Sequence, residues 1–231
     1  MKKLSLLLHI LAVIAVVAIA LGLRLRAVQK LPIDYDEDDY LRAGQQYAAA
    51  IVAGDWGEFT RENYRPEHPA LAKIAYGAVL AAMPPAPLVP DRPTTAAPAR
   101  SLPGPQLRAA RLEAAALGTA EVLILTLVDP LAGLPLAVHT FTIKYTSQVM
   151  LEALPTLTSL LAVWAYGRSQ GRKGGWLLLS AVSLGFTVAS KYLYAVAGIA
   201  IALLMSAPVV AIFLLLQRYL LDRLLIGRVE P

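Results

Sequence analysis

The sequence predicts an all-α fold, a polytopic transmembrane helical bundle with amphipathic interfacial helices in a long first outer loop. Three observations carry this expectation. The chain is 57% hydrophobic and 16% charged over 231 residues, with a mean hydropathy of +0.57, too apolar for a soluble domain of this size. Its apolar residues fall in long runs instead of alternating, as in helices solvated by lipid. Its Lys and Arg residues gather at the ends of those runs and in the connections, where they anchor and orient spans. The net charge of +5 therefore gives no sign of a nucleic-acid partner. With no cysteine in the chain, disulfides and thiolate metal sites do not arise.

The first span runs from Leu4 to Leu23, behind Lys2 and Lys3. Its apolar run exceeds the roughly 7–15 residues of a cleavable signal core, and no clear small-x-small site follows, so residues 1–23 are expected to be a retained transmembrane helix. Residues 24–108 form one polar excursion, and a helix is expected over 37–53. There, apolar or small residues recur at Tyr40, Gly44, Tyr47 and Ile51, and at Leu41, Ala48 and Val52, with Arg42, Gln45 and Gln46 opposite. Carboxylates at 36–39 suit its start and Gly54 its stop. A second helix is expected over 69–82, with Pro69 in the first helical position and Pro84-Pro85 ending it. Both helices are expected to lie in the membrane interface. Residues 84–105, rich in Pro, Ala and Thr, read as a linker of polyproline character.

Residues 109–231 are expected to supply five to six spans. Apolar blocks run Leu112–Val128, Leu131–Ile143 and Leu151–Tyr166, then Trp176–Met205, long enough for two short spans or one broken one. A last block, Pro208–Ile226, is interrupted by Arg218, Asp222 and Arg223. Trp56, Trp164 and Trp176 suit an interfacial belt, and His139, inside an apolar run, a hydrogen-bonded packing role. Four spans separate the N-terminus from the connection 167–175, which carries Arg168, Arg172 and Lys173. Both should therefore be cytoplasmic and residues 24–108 outside.

The chemistry concentrates in two stretches. Ile33-Asp34-Tyr35-Asp36-Glu37-Asp38-Asp39-Tyr40 holds five carboxylates within six residues, and Arg65-Pro66-Glu67-His68-Pro69-Ala70-Leu71-Ala72-Lys73 follows. Like charges so close repel one another, so a metal, a cationic ligand or a proton is the expected reason for the cluster. Lys191 interrupts an apolar stretch and must snorkel or find an anionic partner.

An N-terminal span, an outer Asp36-Glu37 pair heading an interfacial helix, and Glu67-His68-Pro69-Ala70-Leu71-Ala72-Lys73 together resemble the GT-C membrane glycosyltransferases. The similarity is closest to the protein O-mannosyltransferase and aminoarabinose-transferase-like branch. In this chain the acid adjoins the His directly, and Ala70 stands where that branch has a second proline. Arg108-x-x-Arg111, Tyr145-x-x-Gln148-x-Met150-x-Glu152 and Gly185-x-x-x-x-Ser190-Lys191-Tyr192 extend the resemblance over most of the chain. Members of that family are about twice as long, so the chain is expected to match their N-terminal part.

The resemblance implies a bacterial or archaeal plasma-membrane enzyme that moves a hexosyl or pentosyl group from a polyprenyl-phosphate donor to a protein, lipid or glycan acceptor outside. Asp36 is then the candidate general base, with Glu37 and Glu67 beside it. His68, Lys73, Arg108, Arg111, Glu152 and Lys191 are the candidates for holding substrate. A divalent metal (Mg, Mn or Zn) on Asp36 and Glu67 is a further expectation. Two alternatives stay open: a non-catalytic membrane subunit that keeps the fold and binds a membrane-protein partner, and a transporter-like protein. The transporter is disfavoured because the charges gather in an outer loop, not at the midplane.

Overall fold

The computed structural model describes residues 2–91, 101–169 and 174–203, and these form helices and connections with no strand. Helix α1, Lys2–Lys30, runs seven residues past the expected end at Leu23, because Arg24 and Arg26 are accommodated within the helix. Of the described helices, the stretch Leu6–Lys30 alone is long and apolar enough to cross a membrane by length and composition.

Helix α2, Glu37–Ala53, begins and ends where the periodicity predicts. Gly54 closes it in the left-handed conformation at φ 69°, its N–H reaching the carbonyls of Ala50 and Ile51. A short α3, Glu58–Arg61, follows, and then α4, Leu71–Ala81. Pro69 does not open α4 as expected; the helix starts two residues later, behind Ala70. Helices α2 and α4 cross at paired glycines. A Cβ on Gly77 would lie 2.7 Å from the Tyr47 Cβ, and one on Gly44 would lie 3.1 Å from the Tyr76 Cβ. That approach lets Leu41, Tyr76 and Leu80 share one core with Ala110 and Ala114.

Helix α5, Gly104–Val128, starts earlier than the expected linker end at 105, with Pro105 in its first turn. Its 25 residues make about 37 Å of helix at 1.5 Å per residue. It runs antiparallel to α1: Arg111 bonds the carbonyls of Val28 and Leu31, whereas Val122 packs on Val16 and Ala20. The chain returns through a broken helical segment, α6 (Pro130–Val138) and α7 (Thr140–Tyr145). His139 makes the break. It is exposed, and its Nδ1 accepts from the Thr142 N–H at 3.3 Å, so it caps α7 and does not pack in a core.

Helices α8, Ala153–Ser169, and α9, Gly175–Ser190, form an antiparallel hairpin joined by small polar contacts. Thr187 donates to Thr158 at 2.9 Å and Ser180 to the Ala162 carbonyl at 2.8 Å. Lys191 then breaks the helix at φ −160°, and a 3₁₀ turn, Tyr192–Ala195, opens the apolar helical stretch Tyr192–Leu203. A Cβ on Gly198 would lie 3.7 Å from a Leu184 methyl, so the described part of the expected block 176–205 is two short helices folded back on each other. The expected block 208–226 and residues 92–100 of the linker lie outside the described residues. The connection 146–152 and the turn at Lys191 therefore meet α2 and α4 at one end of the bundle. The end of α8 and the start of α9 lie at the other.

Candidate functional site

The acidic run is divided among partners from four segments. Glu37, fully buried, is gripped by Arg111, whose Nε donates to Oε1 at 2.8 Å and whose Nη2 donates to Oε2 at 2.5 Å. The same carboxylate accepts from Val149 N–H at 2.8 Å and Asp34 N–H at 3.0 Å. The rest of the guanidinium is spent on the carbonyls of Val28, Leu31 and Pro32 at 2.9–3.1 Å. Every donor of Arg111 and both oxygens of Glu37 are thus engaged. These two expected site residues form an internal staple, with nothing left for a phosphate or an acceptor proton.

Asp34 takes Lys144 at 2.6 Å, and Asp39 takes the Arg65 guanidinium. Asp38 Oδ1 accepts from the Asp39 N–H at 2.9 Å. Asp36 remains. It is half-buried at the entrance of α2, and no hydrogen bond or ion pair engages its side chain among the described residues.

Lys73 is also internal. Its buried ammonium donates to Asn63 Oδ1 at 2.8 Å and to the carbonyls of Tyr64, Arg65 and His68 at 2.5, 2.6 and 2.9 Å. Burial pulls its pKa down to about 8. This anchor shapes the segment 63–68 and holds Arg65 at φ 59°, an uncommon conformation for a side chain of that size. From there Arg65 bridges Asp39 and Glu67, the latter at 3.2 Å.

The groups left available converge around Tyr40. Its ring lies 6.2 Å from the His68 ring, centre to centre. Burial first, then the charges of Asp36, Glu152 and Glu67, push its phenol pKa up. His68 is held below the ordinary imidazole value, chiefly by burial and next by the Lys191 ammonium, and is therefore neutral at pH 7. Lys191 does not project into open surroundings. Its Nζ is ion-paired with Glu152 at a cavity of about 420 Å³ whose lining includes Thr142, Thr146, Thr156, Phe141 and Tyr194. Six residues, Asp36, Tyr40, Glu67, His68, Glu152 and Lys191, thus form one electrostatic neighbourhood, and five of them were expected from the sequence.

Arg108 is elsewhere: it is exposed and lines a separate cavity of about 340 Å³ with Val28, Gln29 and Leu107. Among the described residues no three His, Asp or Glu side chains are grouped to hold a metal ion, and Glu67 already has a cation in Arg65.

Sequence reasoning did not find Tyr40, Arg65 or Arg24. Tyr40 could have been noticed as the aromatic residue closing an acidic run. Arg24 gave a weaker signal, one charge just past an apolar span. It is fully buried, donates to Thr146 Oγ1 at 2.9 Å, and passes over Gly118, where a Cβ would lie 2.8 Å from its Nε. Glu121, fully buried and without a hydrogen bond to its carboxylate, is its charge partner one turn further along α5.

Comparison with known proteins finds no matching family, no matching curated relative and no matching solved structure.

Proposed function

We propose that this chain is a polytopic membrane glycosyltransferase, or the N-terminal half of one, that takes its sugar from a polyprenyl-phosphate donor at the outer membrane surface. The observation that carries the reading is the division of the acidic run. Four of its five carboxylates have partners, and Asp36 stands without one, its charge acting on Tyr40 together with those of Glu152 and Glu67. The large apolar side chains left exposed on the returning spans support a lipid surround, among them Leu131, Phe141, Leu193 and Leu203.

In this reading the acceptor hydroxyl oxygen bonds to the anomeric carbon while the carbon–oxygen bond to the phosphate breaks. The bonding pair leaves with the phosphate, and the acceptor proton passes to Asp36. The Lys191 ammonium faces the charge that grows on the leaving phosphate, and neutral His68 is free to donate one hydrogen bond. Glu152 occupies Lys191 in the structure, so the phosphate must take its place. Membranes containing the full chain should transfer label from a polyprenyl-phosphate [¹⁴C]hexose to an endogenous acceptor, and Asp36→Asn membranes should not. Equal transfer by both would reject Asp36 as the base.

A second reading, a non-catalytic subunit, is favoured by one specific fact. Glu37, Arg111 and Lys73, three residues of the family-like motifs, are wholly occupied by internal bonds. Donor binding without turnover in the same membranes would select it.

A further inference from the structure

We propose that the end of the bundle opposite the Asp36 site carries a binding site for an anionic phospholipid, centred on Arg168. Arg168 lies in the last turn of α8 and is exposed. No hydrogen bond or ion pair engages its guanidinium among the described residues. Two indoles hold it instead: its central carbon lies 5.9 Å from the Trp164 ring centre and 5.6 Å from that of Trp176. The indoles come from different helices and meet edge to face, 5.2 Å apart at 88°. Cation–π contact orients the guanidinium without consuming its N–H donors. The fork that grips a phosphate through two oxygens is therefore prearranged and unspent.

Next to the guanidinium is an apolar groove of about 500 Å³ between the last turns of α5 and α8, lined by Ile124, Leu127, Val128, Leu160 and Val163. Leu127 and Val128 are 53% and 61% exposed there. The two halves make opposite demands. A soluble anion satisfies the arginine and leaves the groove wet, and a zwitterionic or neutral lipid fills the groove and leaves the arginine without net negative charge. A phospholipid with a net negative headgroup satisfies both. Basic residues beside spans on the cytoplasmic side recruit such lipids, and Trp at the same level suits the interface. The site shares no residue with the Asp36 neighbourhood, and it rests on the membrane placement proposed above.

The test uses the full chain in phosphatidylcholine nanodiscs. The chain has three tryptophans, so a Trp56→Phe background leaves Trp164 and Trp176 as the reporters. Fluorescence quenching by dibrominated phosphatidylglycerol is compared with quenching by dibrominated phosphatidylcholine at equal mole fraction. The proposal expects an apparent preference of about fivefold for phosphatidylglycerol. That preference should fall to parity in Arg168→Gln, and should shrink in wild type as salt is raised. Equal quenching by the two lipids in wild type, or a preference that survives both Arg168→Gln and high salt, would overturn the site while leaving the membrane placement standing. Quenching by neither lipid would overturn the site together with that placement.

Discussion

Arg111 and Glu37 lie 74 residues apart, yet together they close the joint where α1, α2, α5 and the connection 146–152 meet. The guanidinium forks onto the carboxylate at 2.8 and 2.5 Å and spends its other donors on three carbonyls at the end of α1. This joint sets the position of Asp36, the residue immediately before Glu37. It therefore acts on the proposed chemistry through geometry and not through contact with substrate.

Removing one member of the pair should be far worse than removing both. Arg111→Met leaves a buried carboxylate uncompensated and is expected to cost about 3–5 kcal/mol, whereas the double variant Arg111→Met, Glu37→Leu should recover a substantial part of the loss. Unfolding of the purified chain in detergent measures both. Equal stability of the two variants would mean that the fork is not the source of the joint's strength.

The ion pair between Glu152 and Lys191 predicts competition. Glu152→Gln removes the carboxylate that a phosphate must displace, so affinity for polyprenyl phosphate should rise several-fold, the effect expected of one nearby charge at the edge of a site. A fall in affinity would show that Glu152 helps hold the ligand and does not compete with it.

The lowered pKa of His68 gives a signed pH dependence. Because the folded state resists the proton, the unfolded chain binds more protons below pH 6.5, the ordinary value for the group. Stability should therefore fall as pH drops through 6.5 toward the folded-state pKa and then stop falling on this account. His68→Gln should flatten that portion of the curve. A slope unchanged by the substitution would place its origin in other groups.

Topology can be read with single cysteines, since the native chain has none. Asp55→Cys should react with an impermeant maleimide added outside intact cells, and Gly171→Cys should react only after permeabilisation. The reverse pattern would invert the membrane orientation and put Asp36 on the cytoplasmic face.

What could be read from the sequence was local. The extent of α2 followed from periodicity and from Gly54, because a left-handed cap and an apolar stripe are both set within a few residues. The start of α4 was missed because the Lys73 ammonium draws the carbonyls of 64, 65 and 68 into a turn that Pro69 only follows. The break at His139 was hidden because an apolar run looks the same whether or not a side chain caps a new helix inside it. In the candidate site, the sequence supplied residue types but not how the structure sorts them. Glu37 and Asp36 are neighbours of like charge, and only the long-range partner Arg111 decides that one is structural and the other open. Arg24 and Glu121 lie 97 positions apart, a pairing that no local pattern signals.

The central claim is that Lys191 binds the donor phosphate and Asp36 acts only in the transfer. Equilibrium binding of a fluorescent polyprenyl phosphate to the purified chain in nanodiscs separates these roles directly. The account predicts that Lys191→Met weakens binding at least tenfold while Asp36→Asn binds like wild type. Equal affinities for wild type, Lys191→Met and Asp36→Asn, or equal losses in the two variants, would contradict it.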